Sequence, residues 1–249
     1  MKGTVYLVGA GPGALDLLTL RAARLLERAG IVFYDALVNP EIVALAVNAT
    51  KVAVGKRCGR HSTAQQFINK RLVDAAACHS VVIRLKGGDP MLFGRAQEEI
   101  DALSTAQVRF EVVPGITSAL AASAEMGISL TRRGLARSVS FVTPRIGIGE
   151  EPGRWIQAAM ASDTTAIYMG AGEGTAISSA LIAAGKPGDT PVAIAENASA
   201  PHARRIHGTL RSLPYLAAQC GDGPALILIG EVYRQATSME RTQDERITA

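Results

Sequence analysis

Residues 80–90, SVVIRLKGGDP, join an apolar run to a glycine-rich turn that ends in Asp89 and Pro90. An apolar run bounded by glycine is typical of a buried strand in a parallel sheet. In α/β folds, ligands bind beside the turns that follow the carboxyl ends of such strands. Gly87 and Gly88 would bring bare backbone close to a ligand, and Asp89 would accept its hydrogen bonds. The segment indicates an α/β enzyme, and an ordinary turn stays open as the alternative.

Strand and helix patterns alternate on both sides of this segment through the first half of the chain. The predicted strands are residues 3–9, 31–35, 51–55, 80–86 and 108–113. The predicted helices between them are residues 15–29, 63–77 and 95–103. This alternation predicts a parallel sheet with helical crossovers.

Pro114 and Gly115 break the alternation before a helix of small residues at 116–126. We therefore predict an N-terminal α/β domain over residues 1–114 and a C-terminal α/β domain over 115–236, with a disordered tail at 237–249. The strands predicted in the second domain are residues 138–143, 164–169, 191–196, 204–210 and 225–230. Since the last three lie too close in sequence for helical crossovers throughout, we expect a mixed sheet with antiparallel pairs.

Composition excludes several classes of function. The chain has 249 residues, 48% hydrophobic and 19% charged, with a net charge of +4 and 4% aromatic residues. Few aromatic side chains and a mild positive charge favour a small anionic substrate over nucleic acid. Three dispersed cysteines and the histidine spacing argue against a disulfide framework or a metal site. Without a signal-like or membrane-spanning segment, we expect a cytoplasmic protein.

The first turn, GAGPGA at residues 9–14, formally matches the dinucleotide-binding pattern, and Asp35 follows at the spacing of a ribose-binding acid. Pro12 lies inside the turn and removes one backbone donor that a pyrophosphate would use. A ligand without phosphate would lose less there. A tight turn that binds no ligand is the further alternative.

Basic residues cluster in three other loops. The segment 55–62 carries Lys56, two arginines, a histidine and two glycines, which suits an anionic ligand or simply a solvated loop. Arg95 and Glu98 lie one helical turn apart, so they share a face toward a cleft or form a surface ion pair. Arg132 and Arg133 are ambiguous in the same way, although guanidinium groups are natural partners of carboxylates.

The ordered set of motifs is more informative than any one of them. It comprises VYLVGAGPG, LLTLRAARLL, FYDALV, VGKRCGRHS, IRLKGGDP with LFGRAQEE, VVPGITSALAA, ISLTRR, SFVTP, AIYMG and PALILIGEV. From about residue 3 to about residue 234, the set resembles the uroporphyrinogen-III C-methyltransferase family of tetrapyrrole methylases. Family order and spacing are kept throughout.

The resemblance implies two α/β domains with an S-adenosylmethionine cleft between them, a homodimer, and a tetrapyrrole substrate. It implies methylation of uroporphyrinogen III at two pyrrole carbons through precorrin-1 to precorrin-2, with S-adenosylhomocysteine as the second product. Asp35 and Lys56 match the family's proton acceptor and proton donor. The matching cofactor contacts are Pro12, Gly87, Gly88, Asp89, Leu92, Thr117, Ser118, Met169 and Ala198. The tetrapyrrole would be bound by Arg95, Glu98, Arg132 and Arg133.

The chain departs from the family pattern at several positions. Ala14 replaces an acidic residue, GRAQEE replaces GRGGEE, and Arg132 replaces a histidine in LTHR. Ala198 replaces the glycine of ENGT, so a cofactor contact made by glycine there must tolerate a Cβ. The alternatives are a methylase of a later corrinoid precursor, a dinucleotide-binding oxidoreductase, and a binding protein without turnover.

Overall fold

The computed structural model describes residues 3–55, 65–146 and 153–235. The chain divides into two compact units, Met1–Ser118 and Ala119–Ala249. Each unit holds one five-stranded sheet. The predicted boundary after residue 114 stays a prediction. Within the described residues, we find no helix with the length and apolar character needed to cross a bilayer.

The first sheet is parallel throughout, in the order β3-β2-β4-β1-β5. Its strands are β1 (Thr4–Gly9), β2 (Ile31–Tyr34), β3 (Thr50–Ala53), β4 (Val81–Lys86) and β5 (Arg109–Val113). β4, the strand of the SVVIRLKGGDP segment, lies between β1 and β2 and is buried from Val82 onward. A central strand covered on both faces needs the near-continuous apolar run that the sequence has there. The predicted parallel sheet is confirmed.

Helices cover both faces of the first sheet. They are α1 (Leu20–Glu27), α2 (Pro40–Ala44), α3 (Gln65–Cys78) and α4 (Ala96–Thr105). Buried residues of α1 and α2 form one core with β1, β2 and β4, and those of α3 and α4 form another on the opposite face. Side chains that alternate along β4 therefore enter two different cores.

The predicted helix over residues 15–29 is shorter than expected. Residues Leu15–Leu17 form a separate 3₁₀ turn, and α1 begins only at Leu20, where the Thr19 hydroxyl accepts a hydrogen bond from the Ala22 N–H at 3.2 Å. The leucines before Thr19 continue the apolar pattern but not the helix, because the threonine hydroxyl satisfies one of the free N–H groups of the first turn and caps the helix there.

The second sheet is mixed, as the sequence predicts, in the order β6-β7-β10-β8-β9. Its strands are β6 (Val139–Val142), β7 (Thr164–Ile167), β8 (Pro191–Glu196), β9 (Arg204–Thr209) and β10 (Ala225–Gly230). β6 pairs with β7 in parallel, whereas β10 is antiparallel to both β7 and β8, and β8 is antiparallel to β9. The fold class, two α/β units with one parallel and one mixed sheet, is confirmed.

Helices also cover both faces of the second sheet. They are α5 (Ser118–Met126), α6 (Arg154–Ala161), α7 (Gly174–Ala183) and α8 (Leu213–Ala218). α5 packs on one face, and α6, α7 and α8 contribute to the core on the other. The sequence prediction contains α5 but not the other three. α7 is rich in small apolar residues, so it has little of the amphipathic contrast that identifies a helix.

Candidate functional site

The loops at the carboxyl edge of the first sheet carry most of the predicted site residues of that unit. Strands of a parallel sheet all end at one edge, so the turns after β1, β2, β4 and β5 lie together. Asp35 follows β2 directly, and Gly87, Gly88 and Asp89 follow β4. The sheet therefore gathers at one edge residues that are far apart in sequence.

Glycines let the backbones of three of these turns touch. Gly11 donates its N–H to the Gly88 carbonyl at 3.1 Å, and Gly88 donates to the Gly11 carbonyl at 2.7 Å. A Cβ on Gly9 would lie 2.5 Å from the Gly115 nitrogen, and a Cβ on Gly115 would lie 2.2 Å from the Gly88 oxygen. No side chain fits at these distances. We call this contact of Gly9, Gly11, Gly88 and Gly115 the glycine seam.

The turn after β1 differs from a dinucleotide-binding turn. In that motif the glycine-rich turn leads directly into a helix whose N-terminus binds the pyrophosphate. Here residues 10–19 separate β1 from α1, and they include the 3₁₀ turn of residues 15–17. Asn39 donates its side-chain amide to the Gly13 carbonyl at 2.9 Å, which fastens the turn to the loop after β2. The geometry disfavours the dinucleotide alternative.

Asp89 holds the turn after β4 in place. Its Oδ1 accepts a hydrogen bond from the Met91 N–H at 2.8 Å, and its Oδ2 accepts one from the Gly115 N–H at 2.9 Å. The carboxylate thus links the ends of β4 and β5. A carboxylate has further lone pairs with which to accept hydrogen bonds from a ligand. Asp89 therefore has a structural function that the sequence analysis did not foresee.

Asp35 is fixed by an arginine from the middle of β4. Arg84 donates from Nη2 to Asp35 Oδ1 at 2.7 Å; the Arg84 side chain is 3% exposed and the Asp35 side chain is 27% exposed. The ion pair therefore joins a buried guanidinium to a partly exposed carboxylate. Arg84 stands in an apolar run of the sequence, and for that reason sequence reasoning did not select it.

Arg84 belongs to a buried cluster of charges with Lys86 and Glu99. Glu99 Oε1 accepts from Arg84 Nε at 2.9 Å, and both Glu99 oxygens accept from Lys86 Nζ at 3.0 Å. Burial and the nearby Arg84 charge lower the pKa of Lys86, although Glu99 opposes this shift. Burial also disfavours the charge on Arg84, but Asp35 and Glu99 more than offset it and raise the pKa of the guanidinium. We call Arg84, Lys86 and Glu99 the buried charge cluster.

Arg95 and Glu98 form an exposed ion pair at the start of α4. Arg95 donates from Nε and Nη2 to the two Glu98 oxygens at 2.6 and 2.7 Å, with both side chains about half exposed. The hydrogen bond from Arg95 lowers the pKa of Glu98. Arg95 also has a left-handed backbone, φ 55°. The other basic loop, with Lys56, lies outside the described residues.

Arg132 and Arg133 lie in a tight hairpin of the second unit. Arg132 and Ala136 exchange backbone hydrogen bonds of 2.9 and 2.8 Å, and Gly134 has a φ of +80° in the turn between them. Both arginine side chains are exposed. The hairpin therefore presents two adjacent guanidinium groups to solvent.

Unusual backbone conformations mark the two predicted cofactor contacts of the second unit. Met169, just after β7, has a φ of 58° and is 41% exposed. Asn197 and Ser199, with φ of 52° and 67°, flank Ala198. Non-glycine residues with such angles often lie at ligand-binding positions. Ala198 itself is not among the positive-φ residues and is buried, so its Cβ packs in the core without backbone strain.

The structure groups the predicted residues by unit. The first unit brings Asp35 and the Gly87–Asp89 turn to one sheet edge, near the ends of β1 and β5. Sequence reasoning missed Arg84, Lys86 and Glu99 as a cluster. The signal available was the charge of Arg84 and Lys86 within an otherwise apolar strand, spaced two residues apart and hence on one face. Across the described residues, no group of three or more His, Cys, Asp or Glu side chains is arranged to hold a metal ion.

Comparison with known proteins gives consistent matches. Residues 4–214 match the family model described as Tetrapyrrole (Corrin/Porphyrin) Methylases. A siroheme synthase of Zymomonas mobilis subsp. mobilis is 45% identical over 93% of this chain and 49% of its own length, and one of Chromobacterium violaceum is 44% identical over 99% and 53%. The chain thus spans about half the length of the curated relatives it matches.

Two solved structures are similar over nearly their whole length. One is a uroporphyrin-III C-methyl transferase from Thermus thermophilus complexed with S-adenyl homocysteine, with 41% identity, a TM-score of 0.82, and coverage of 93% of this chain and 99% of that one. The other is a cobalt precorrin-4 methyltransferase, with 28% identity, a TM-score of 0.81, and coverage of 92% and 95%. On the extent of the family match, this chain belongs to the tetrapyrrole (corrin/porphyrin) methylases.

Proposed function

We propose that this chain transfers methyl groups from S-adenosylmethionine to two pyrrole carbons of uroporphyrinogen III, giving precorrin-1 and then precorrin-2. The observation that carries the proposal is the similarity to the Thermus protein, a uroporphyrin-III C-methyl transferase complexed with S-adenyl homocysteine. The siroheme synthase relatives are consistent with this proposal. Metal ions are not needed in this proposal.

The first unit has the local features that a cofactor of this kind requires. Gly88 has a φ of +68°, and a Cβ added there would meet only Thr117, at 3.9 Å, so open space lies beside its backbone. Gly87 faces the Leu37 side chain. An open, half-buried backbone beside an apolar side chain fits an adenosine-bearing ligand, which needs a few polar contacts on an apolar surface.

We assign the cofactor contacts of the first unit to its turns at the carboxyl edge: Pro12, Gly87, Gly88, Asp89, Leu92, Thr117 and Ser118. In the second unit we assign them to Met169 and Ala198. The left-handed backbone of Met169 supports the first assignment. At Ala198 the Cβ packs in the core, so it would not obstruct a contact made by the backbone there. When bound, S-adenosylmethionine would supply a methyl group already activated by its sulfonium.

Asp35 is proposed to accept the proton that the methylated pyrrole carbon loses. Its Oδ1 is anchored inward by Arg84, and the carboxylate keeps a solvent-exposed side from which a substrate can approach. A carboxylate held in one orientation is a suitable base when it lies within hydrogen-bond reach of the proton. Lys56 is proposed as the proton donor.

Arg95, Arg132 and Arg133 are proposed to bind the carboxylates of the tetrapyrrole, and Glu98 is proposed to lie at the same substrate site as the partner of Arg95. Their exposure makes them available, and guanidinium groups bind carboxylates bidentately. Arg95 now pairs with Glu98, so a substrate carboxylate would compete with that residue for the guanidinium. We infer that Glu98 keeps Arg95 oriented until substrate arrives.

The test is anaerobic incubation of the purified protein with uroporphyrinogen III and S-adenosylmethionine, followed by substrate mass and S-adenosylhomocysteine release. We expect a gain of two methyl groups. Cofactor binding with an unmodified tetrapyrrole would instead favour a later corrinoid precursor, a candidate supported by the likeness to cobalt precorrin-4 methyltransferase. Absence of cofactor binding would contradict both.

Two variants test the division of roles. Asp89→Ala removes the acceptor of two backbone N–H groups at the cofactor turn, so we expect weaker cofactor binding by calorimetry. Arg95→Ala is expected to leave cofactor binding unchanged and to raise KM for the tetrapyrrole. Lys70→Ala, in an exposed ion pair with Asp74 on α3, is a matched control. The opposite pattern would contradict the assignment.

We further propose a homodimer in the cytoplasm, as the family resemblance and the cysteine usage suggest. Light scattering coupled to size-exclusion chromatography would measure the mass of the assembly. A mass equal to one chain at micromolar concentration would contradict the dimer.

A further inference from the structure

We infer that Glu99 is a positioning residue for the proposed reaction: it holds Arg84 so that Arg84 fixes the carboxylate of Asp35. The inference rests on the proposed function of Asp35 as proton acceptor. The Glu99 side chain is 0% exposed, so we expect its effect on the chemistry to pass through the residues that it contacts.

The contacts of Arg84 leave its guanidinium a single orientation. Nε donates to Glu99 Oε1 at 2.9 Å, Nη1 to the Leu85 carbonyl at 3.1 Å, and Nη2 to Asp35 Oδ1 at 2.7 Å. All three nitrogens are therefore engaged by acceptors on different sides. A planar group held at three points cannot rotate without breaking a buried hydrogen bond.

Glu99 is held as firmly as the arginine. Lys86 Nζ donates to both its oxygens at 3.0 Å, and Gln65 Nε2 from α3 donates to Oε1 at 3.2 Å. The Lys86 stem is confined as well, because a Cβ on Gly94 would lie 3.1 Å from Lys86 Cε and 2.5 Å from the Pro90 oxygen. The loop over residues 90–94 thus closes on the lysine.

Charge balance explains why the cluster needs Glu99. Arg84 and Lys86 bring two positive charges, and Glu99 and Asp35 bring two negative ones, with Glu99 between the cations. Without the Glu99 charge, two buried cations would share the Asp35 carboxylate. Repulsion from Lys86 would then push the Arg84 guanidinium out of its present position beside Asp35.

The experiment is a double-mutant cycle of Glu99→Gln and Asp35→Asn, measured by single-turnover methyl transfer and by cofactor binding. Asp101→Asn, an exposed change on the same helix, is the control. We expect Glu99→Gln to lower the rate about 100-fold, the loss typical of a misplaced catalytic group, with cofactor Kd unchanged. In the Asp35→Asn background, the same change should lower the rate far less, because both act through one group.

Equal losses in both backgrounds, or an unchanged rate in Glu99→Gln, would overturn the inference. If the wild-type protein does not methylate uroporphyrinogen III, the proposed function fails independently of this inference. The hold of Glu99 on Arg84 is then tested by the side-chain Nε–H signal of Arg84 in NMR. Slow hydrogen exchange of that signal in the wild type, and its acceleration in Glu99→Gln, would support it. An identical signal in both proteins would refute it.

Discussion

Glu98 and Glu99 are neighbours in sequence at the start of α4, yet they lie in opposite environments. Glu98 forms a half-exposed pair with Arg95 at 2.6 Å, whereas Glu99 is fully buried between Arg84 and Lys86 at 2.9 and 3.0 Å. The distances hardly differ, but the surroundings do. Water solvates and screens the first pair, while the second must balance its charges within the protein. Comparison of the two sides of α4 shows that distance alone does not measure the importance of an ion pair.

The strongest test of this contrast is Glu99→Ala. It leaves Arg84 and Lys86 buried with one fewer negative partner, so we expect a loss of about 3–5 kcal/mol in the free energy of unfolding. Urea denaturation followed by circular dichroism measures it. A loss below about 1 kcal/mol would mean that water or Asp35 compensates the charges of Arg84 and Lys86. The buried cluster would then contribute no more to stability than the exposed Arg95–Glu98 pair.

A second test separates unpaired charge from lost packing. Glu99→Met keeps similar volume but leaves Lys86 without its carboxylate, whereas the double variant Lys86→Met/Glu99→Met removes both charges and keeps the Arg84–Asp35 pair. We expect the double variant to be more stable than Glu99→Met by about 1–3 kcal/mol, the usual cost of a buried polar group left without its partner. If the second substitution destabilised further, packing rather than charge would dominate.

The pH dependence of stability sharpens the contrast. Burial lowers the pKa of Lys86 below 10.5, so at pH values between the folded and unfolded pKa the unfolded chain binds more protons. Stability from this group therefore rises as pH increases through that window, with a slope of at most about 1.4 kcal/mol per pH unit. The free energy of unfolding of the wild type relative to Lys86→Met should increase there, as measured by denaturation at several alkaline pH values. If the difference in unfolding free energy between the wild type and Lys86→Met did not change with pH, Lys86 would have the same pKa in the folded and unfolded states.

The smallest effect is expected at the exposed pair. Glu98→Ala should lower the free energy of unfolding by about 0.3–0.5 kcal/mol, and added salt should reduce that difference. Because Arg95 lowers the pKa of Glu98, the contribution is present above the ordinary value near 4.5 and is lost as pH falls through the lowered one. Urea titrations at low and high salt measure it. If Glu98→Ala lowered the free energy of unfolding as much as Glu99→Ala does, the exposed and buried ion pairs would contribute equally to stability.

The sheets and their strand directions could be predicted from sequence because their signals are local. The apolar run before Lys86 identifies a central strand, and the short spacing of the last three strands predicts antiparallel pairs. Thr19 shortens the predicted first helix because a cap competes with an apolar pattern that continues on both sides of it. Such competition is decided by hydrogen bonds that sequence periodicity does not report.

The sequence predicts the residues of the candidate site that lie in loops, but not those that lie within a strand or a helix. Gly87, Gly88 and Asp89 stand out as a turn, but Arg84 and Glu99 meet only after β4 and α4 pack together. The dual hydrogen bonding of Asp89 also depends on the position of Gly115, which lies 26 residues away in sequence. Long-range pairing of this kind leaves no periodic trace in one sequence.

The glycine seam has a consequence for how such a protein can diverge. Where backbones touch, substitution has no room: a library randomised along this sheet edge should return glycine at positions 9 and 115. Met91, which is 58% exposed in the turn after β4, has room to vary in size and chemistry. New substrate preferences in this fold would therefore arise at the rim, over an invariant frame of main chain.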